Sequence, residues 1–178
     1  MANIWDISPL RDAGSAALSA AASLMWKAQQ AGEPVAWISA RASTFFPPDF
    51  DACGIDLAAL VVVRTTDAAC AARAADKLLR SGAFALVMLD LGARASISSA
   101  LVSRLLGLAR KHCSAVVFLT EKSDDAASLS PIVSLRVRAE RLRTSSGRFT
   151  CSIRALKDKT RAPGWTVEET LRAPPGLR

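Results

Sequence analysis

The segment from Asn3 to Leu18 has the layout of a phosphate-binding loop but lacks the side chains that such a loop needs. A strand-like run, Ile4 to Ile7, enters a tight segment, and an alanine-rich helical run leaves it. A working loop needs a lysine for the outer phosphates and a Ser or Thr hydroxyl for magnesium. Gly14 is present, but Ser15 stands at the lysine position and Ala16 at the first hydroxyl position. We therefore expect a nucleotide-type fold that has lost its nucleotide, and a regulator rather than an enzyme.

The elements that would position this loop alternate along the chain. The predicted strands are Ile4–Ser8, Pro34–Ser39, Leu60–Arg64, Phe84–Leu89 and Ala115–Leu119, and the predicted helices are Ala13–Ala31, a helix capped by Asp67 that runs to Ser81, and Ser98–His112, with one short helical turn in the loop 40–58. The strands are apolar on both faces, Leu60–Arg64 included, which indicates a mainly parallel sheet covered by helices.

The pattern changes after residue 134. Apolar and polar residues alternate over 135–140 and again over 149–154, which is typical of antiparallel strands with one solvent-facing side. Ser145, Ser146 and Gly147 would form the turn between them. Four arginines are placed by this pattern on the solvent-facing side or near the turn: Arg136, Arg138, Arg148 and Arg154.

Composition narrows the class of protein. The chain has 178 residues, 51% of them hydrophobic, so we expect one domain over residues 1–172 and a flexible tail over 173–178. The sequence shows no membrane span and no secretory signal, which favours a cytoplasmic protein. Four separated cysteines are expected to be buried free thiols, and a single histidine, His112, argues against a zinc site of ordinary spacing. We expect no metal and no cofactor.

The net charge of +7 lies entirely at the C-terminal end. Residues 1–133 carry 12 basic and 12 acidic side chains, whereas residues 134–178 carry 11 basic and 4 acidic ones. This asymmetry favours an acidic partner or a polyanion, although a charged face that only keeps the protein soluble remains an alternative.

Five segments, taken in order, resemble the RecA/RadA recombinase core, and within it the short ImuA and SulA-like relatives of bacterial SOS operons. They are PLRDAGSAAL at the Walker A position, PVAWISARASTFFPPDFDACGIDLAALVVVRT at the second strand and third strand, DAACAARAADKLLRSGAFALVMLD at the Walker B strand, AVVFLTEK at the sensor strand, and RALKDKTRAPGW at the family's lysine-containing hairpin. The resemblance covers most of the chain and implies a RecA-like core.

The resemblance also implies that ATP hydrolysis is lost. Asp90 matches the Walker B aspartate, but Arg41 stands where the family has its catalytic glutamate, and Glu121 stands at the sensor amide. An aspartate without its lysine and hydroxyl partners cannot assemble the metal–phosphate cage of phosphoryl transfer. The degenerate site therefore comprises Gly14, Ser15, Ala16, Arg41, Asp90 and Glu121.

The DNA-binding loops of the recombinases are reduced here. Leu91–Ser96 passes almost at once into a helix, and Lys122–Pro131 is a short link that carries Asp124 and Asp125, whose charges would repel a phosphate backbone. The chain also begins at the first core strand, without the family's hook onto a neighbouring subunit, so a monomer or dimer is expected rather than a filament.

Lys157 and Lys159 match the lysines of the family's hairpin, and Arg161 follows them. With the arginines of the alternating segments they are the candidate surface for a partner or for weak DNA contact. The resemblance implies a non-catalytic adaptor of SOS mutagenesis that binds RecA, an ImuB-like polymerase accessory protein, or both. A SulA-type division inhibitor that blocks FtsZ assembly, a direct DNA-binding module and a residual nucleotide-binding enzyme remain alternatives.

Overall fold

The computed structural model describes residues 4–9, 16–40, 45–92, 95–144 and 148–172, with backbone alone at 143–144, 148–149 and 171–172. In chain order the elements are β1 Ile4–Pro9, α1 Ala16–Gln30, β2 Val35–Ser39, α2 Pro47–Ala52, β3 Leu60–Arg64, α3 Ala68–Ser81, β4 Leu86–Gly92, α4 Ser99–Lys111, β5 Ala115–Thr120, β6 Leu135–Thr144, β7 Arg148–Asp158 and β8 Thr166–Arg172.

The eight described strands form one sheet in the order β3-β2-β4-β5-β1-β6-β7-β8. The pairs from β3 to β6 are parallel, and β6, β7 and β8 pair antiparallel. The fold class expected from the sequence is confirmed: a mainly parallel sheet flanked by helices, followed by antiparallel strands.

Helices cover the two faces of the parallel region. On one face α1 and α2 pack against Trp37, Met88 and Val117. On the other face α3 and α4 pack against Leu89 and Phe118. Because the side chains of a strand alternate between faces, the continuous apolar runs of β2, β4 and β5 supply both of these cores.

Local sequence signals determine where helix α3 begins and ends. The carboxylate of Asp67 accepts a 2.7 Å hydrogen bond from the amide of Cys70, which caps the helix as predicted. Gly82 ends it in the left-handed conformation, with φ of 70°. Ser98 caps α4 by accepting a hydrogen bond from the amide of Leu101.

Three sequence-based expectations about burial and strand limits need correction. β3 is not a buried strand but an edge strand, with Val61 40% and Val62 38% exposed. The fourth strand begins at Leu86 and continues through Asp90 to Gly92. Cys53 and Cys113 are exposed thiols rather than buried ones. The exposure of β3 follows from its place in the sheet order, which the local pattern of a strand does not encode.

Some of the sequence-based predictions fall wholly or partly on residues that the structure does not describe. The turn 145–147 and the tail 173–178 are not described, so neither expectation is tested. Among the described residues, no helix is both long and apolar enough to cross a bilayer.

Candidate functional site

The carboxyl ends of the parallel strands bring two of the degenerate-site residues to one edge of the sheet. Asp90 lies on β4 between Leu119 of β5 and Ser39 of β2, and its carbonyl accepts a 2.9 Å hydrogen bond from the amide of Ala40. Glu121 follows β5 directly, is exposed, and donates its amide to the carbonyl of Gly92 at 3.3 Å. Two carboxylates therefore stand at an edge where the resemblance expected one acid and one amide.

Ala16 is the first residue of α1 and is completely buried. Its methyl group belongs to the apolar core, and its carbonyl lies 3.9 Å from the sulfur of Cys151. The position thus contributes packing and offers no oxygen to a metal ion. Gly14, Ser15 and Arg41 lie outside the described residues, so their place at this edge is not tested.

Within the described ranges, no group of three or more His, Cys, Asp or Glu side chains is arranged to hold a metal ion. The buried carboxylate of Asp6 is occupied by hydrogen bonds from Thr120 and Leu129.

Asp6 is a buried polar residue that the sequence reasoning missed. It is fully buried on β1, where one carboxylate oxygen accepts a 2.7 Å hydrogen bond from the hydroxyl of Thr120 and the other accepts the amide of Leu129 at 3.3 Å. An aspartate inside the apolar run of β1 was the available signal, because a buried carboxylate needs several partners.

The basic residues proposed for binding do not form a single exposed patch. Arg136 is 4% exposed, so the expectation that its side chain is open to solvent is wrong. Arg138 is also largely covered, with 18% of its side chain exposed. A loop packs over this part of the face and shields both guanidinium groups. We define this acidic loop as residues 121–128, between β5 and the segment that enters β6.

Arg136 and Arg138 bind the acidic loop. Arg136 donates to the carbonyls of Ser123, at 2.7 Å, and of Ala126. Arg138 forms ion pairs with Asp124 of the loop and Glu140 of its own strand. Burial lowers the pKa of Arg138, but these two carboxylates more than offset that effect, so the pKa lies above its ordinary value.

A second basic group lies at the opposite, amino end of the parallel strands. β7 runs antiparallel to β6 and ends beside Leu135, so the turn between β7 and β8 projects at that end. Lys159 and Arg161 are exposed there, and Lys157 is half-buried. Burial, and then the charges of Lys159 and Arg136, lower the pKa of Lys157. We call Lys157, Lys159 and Arg161 the basic turn.

Asp158 fixes the conformation of the basic turn. Its carboxylate accepts hydrogen bonds from the indole of Trp165 at 2.9 Å and from the amide and hydroxyl of Thr160, both at 2.8 Å. These bonds, with the indole bond first, hold the pKa of Asp158 well below its ordinary value. The turn therefore presents its cations on a preorganised backbone.

The other two predicted binding residues lie apart from the basic turn. Arg154 is exposed on β7, opposite Arg138 and Thr166. Arg148 begins β7 at the far end of the strand, and its side chain lies outside the described residues. The predicted binding residues are thus divided among three places: the face of β6 that the acidic loop covers, the surface of β7, and the basic turn.

No family model matches this sequence, and no curated protein matches it. Among solved structures the chain is similar to SulA from Pseudomonas aeruginosa, at a TM-score of 0.55 and 14% sequence identity. The similarity covers 66% of this chain and 98% of that one. The chain has a SulA-like fold. The likeness concerns the fold alone, and the part of the RecA and ImuA resemblance that goes beyond a SulA-like fold remains a proposal.

Proposed function

We propose that this chain is a non-catalytic regulator of the DNA damage response that works by binding a protein. The observation that carries the proposal is the SulA-like fold, combined with a degenerate phosphate loop. In the specific form that we favour, the chain is an adaptor of SOS mutagenesis and translesion synthesis whose partner is RecA, an ImuB-like protein, or both.

The absence of ATPase chemistry in this proposal rests on three positions. Phosphoryl transfer needs a lysine and a hydroxyl at the phosphate loop, where this chain has Ser15 and Ala16. It also needs a group that orients the attacking water, and Arg41 replaces the glutamate of the recombinases.

The basic turn is the surface that we assign to partner binding. Lys159 and Arg161 are exposed, and the carboxylate of Asp158 is turned inward to the turn's own N–H and hydroxyl groups. Exposed cations on a rigid turn accelerate association with an acidic surface and contribute specificity more than raw affinity. The proposed partner therefore presents an acidic patch to this end of the sheet.

A SulA-type division inhibitor that binds FtsZ is the second candidate. The similarity to SulA favours it, because almost the whole of that chain is covered. The two candidates make different predictions for the bound protein.

A pull-down with purified RecA, an ImuB-like protein and FtsZ separates these candidates. We expect capture of RecA or the ImuB-like protein, and capture that weakens with salt. The variant Lys159→Glu with Arg161→Glu should lose it, whereas the control Lys27→Glu with Lys77→Glu reverses two exposed helical charges and should retain it. Capture of FtsZ alone would replace the first proposal by the second, and capture of none would refute both.

A further inference from the structure

The antiparallel strands β6 and β7 place cations directly opposite cations. Arg136 pairs with Lys157, and Arg138 pairs with Arg154. Like charges in directly opposed positions destabilise a sheet. Two such pairs in succession therefore require anions or oxygen acceptors from elsewhere. We call these four residues the β6–β7 cationic face.

The acidic loop supplies acceptors to the two arginines of β6, whereas Lys157 donates to the carbonyl of Pro131 beyond the loop. The guanidinium of Arg136 donates to the backbone carbonyls of Ser123, Asp124 and Ala126. Arg138 forms an ion pair with the carboxylate of Asp124. The Nε atoms of Arg136 and Arg138 are nevertheless buried without a hydrogen-bond partner. The loop thus covers the β6 part of the cationic face without satisfying every donor of its two arginines.

The middle of the acidic loop is attached to the sheet less firmly than the segment that follows the loop. From Leu129 onward the chain is tied to the core, since Leu129 donates to Asp6 and Val133 is fully buried. Between Ser123 and Ala127, the described hydrogen bonds to the sheet run to Arg136 and Arg138. This stretch also bonds to itself, from the amide of Ala126 to the carbonyl of Ser123 at 3.1 Å. It could leave the arginines without loss of the core contacts beyond it.

We propose that the acidic loop is an autoinhibitory occupant of the β6–β7 cationic face, and that an extended acidic segment of a partner protein replaces Asp124 there. This inference rests on the proposed function as a protein-binding regulator and adds a contact surface that adjoins the basic turn at Lys157. The chemistry favours a peptide, because the present occupant is a peptide recognised through carbonyls and a carboxylate. A guanidinium with a free Nε has donors left for a second carboxylate.

Two neighbouring aspartates provide a matched test. Asp124 pairs with Arg138, whereas the exposed Asp125 has no described ion pair, so Asp124→Asn and Asp125→Asn change the net charge equally and differ in that contact. The probe is a fluorescein-labelled decaglutamate peptide, measured by anisotropy, with a thymidine oligonucleotide as the alternative ligand. We expect Asp124→Asn to tighten peptide binding by about 2- to 5-fold over Asp125→Asn, the range that one partly exposed ion pair supports.

The gain in peptide affinity should depend on Arg138, which the loop covers. Adding Arg138→Gln to Asp124→Asn should abolish it. Equal affinities for the two aspartate variants, a gain that survives Arg138→Gln, or a gain toward the oligonucleotide that equals the gain toward the peptide would each overturn the proposal. Circular dichroism of every variant should match that of the parent, which checks that the fold is retained.

A second measurement uses the parent protein and no substitution. Decaglutamate should accelerate amide exchange at residues 123–127 and leave exchange in β5 unchanged, because the peptide displaces the loop and not the strand. Unchanged exchange at 123–127 in the peptide-saturated protein overturns the proposal. Since the pull-down reports capture of a whole partner by the parent, failure of the loop mechanism would leave that result standing.

Discussion

Gly82 provides a stability prediction with a matched control in the same chain. It ends α3 with φ of +70°, and a Cβ built on it would lie 2.7 Å from Nδ1 of His112. Gly32 follows α1 with φ of +74°, and a Cβ built there would meet no atom within 4 Å. Replacing each glycine with alanine therefore imposes the same backbone strain, but the contact with a neighbouring ring arises at Gly82 alone.

The magnitude follows from these two terms. A left-handed conformation costs a residue with a Cβ roughly 1–2 kcal/mol, which sets the expected loss for Gly32→Ala. Overpacking typically adds about 1–3 kcal/mol. The His112 ring is only half-buried and can turn aside, so we expect the low end, about 1 kcal/mol beyond the control.

Urea denaturation of both variants measures the free energies of unfolding. Gly82→Ala should be less stable than Gly32→Ala by the cost of the contact with the His112 ring. In a His112→Ala background that difference in the free energy of unfolding should disappear. Equal losses for the two variants in the parent background would show that the His112 ring does not restrict this helix end. A difference that persists without the ring would refute the steric explanation.

Three further predictions concern the core, a helix cap and the basic turn. Leu89→Ala should lower the free energy of unfolding by about 2–5 kcal/mol in urea denaturation, because Leu89 is fully buried. Asp67→Ala should cost about 0.5–2 kcal/mol in the same assay, since it removes the N-cap of α3. Asp158→Asn should lower the thermal midpoint at neutral pH. The gap should narrow as the pH falls below about 4, because the unfolded carboxyl takes up a proton there while the depressed pKa keeps the folded carboxyl ionised.

Much of the fold was predictable because its signals are local. The capping aspartate at residue 67 and the glycine at residue 82 delimit α3 in sequence and in structure alike. Apolar runs at β2, β4 and β5 indicated strands buried on both faces, and those strands are central. β3 carries a similar apolar run, but that run did not reveal that β3 is exposed. The place of β3 at the sheet edge depends on the order of strands that are far apart in the chain.

The candidate site was harder to predict for the same physical reason. Alternation along β6 correctly separates its two faces, but it does not say whether a loop covers the polar one. Arg136 is therefore on the predicted face and yet buried under residues 123–126. The exposure of Lys159 and Arg161 follows from a short turn with several polar residues, a signal that is local.

The central claim is that this SulA-like fold serves binding and not phosphoryl transfer. Calorimetric titration of the folded chain with Mg-ATP tests it most directly, with phosphate release measured on the same sample. We predict no saturable heat in the micromolar range and no turnover, and restoring Ser15→Lys with Ala16→Thr should not restore turnover while Arg41 remains. Saturable micromolar binding of Mg-ATP accompanied by phosphate release would contradict the account.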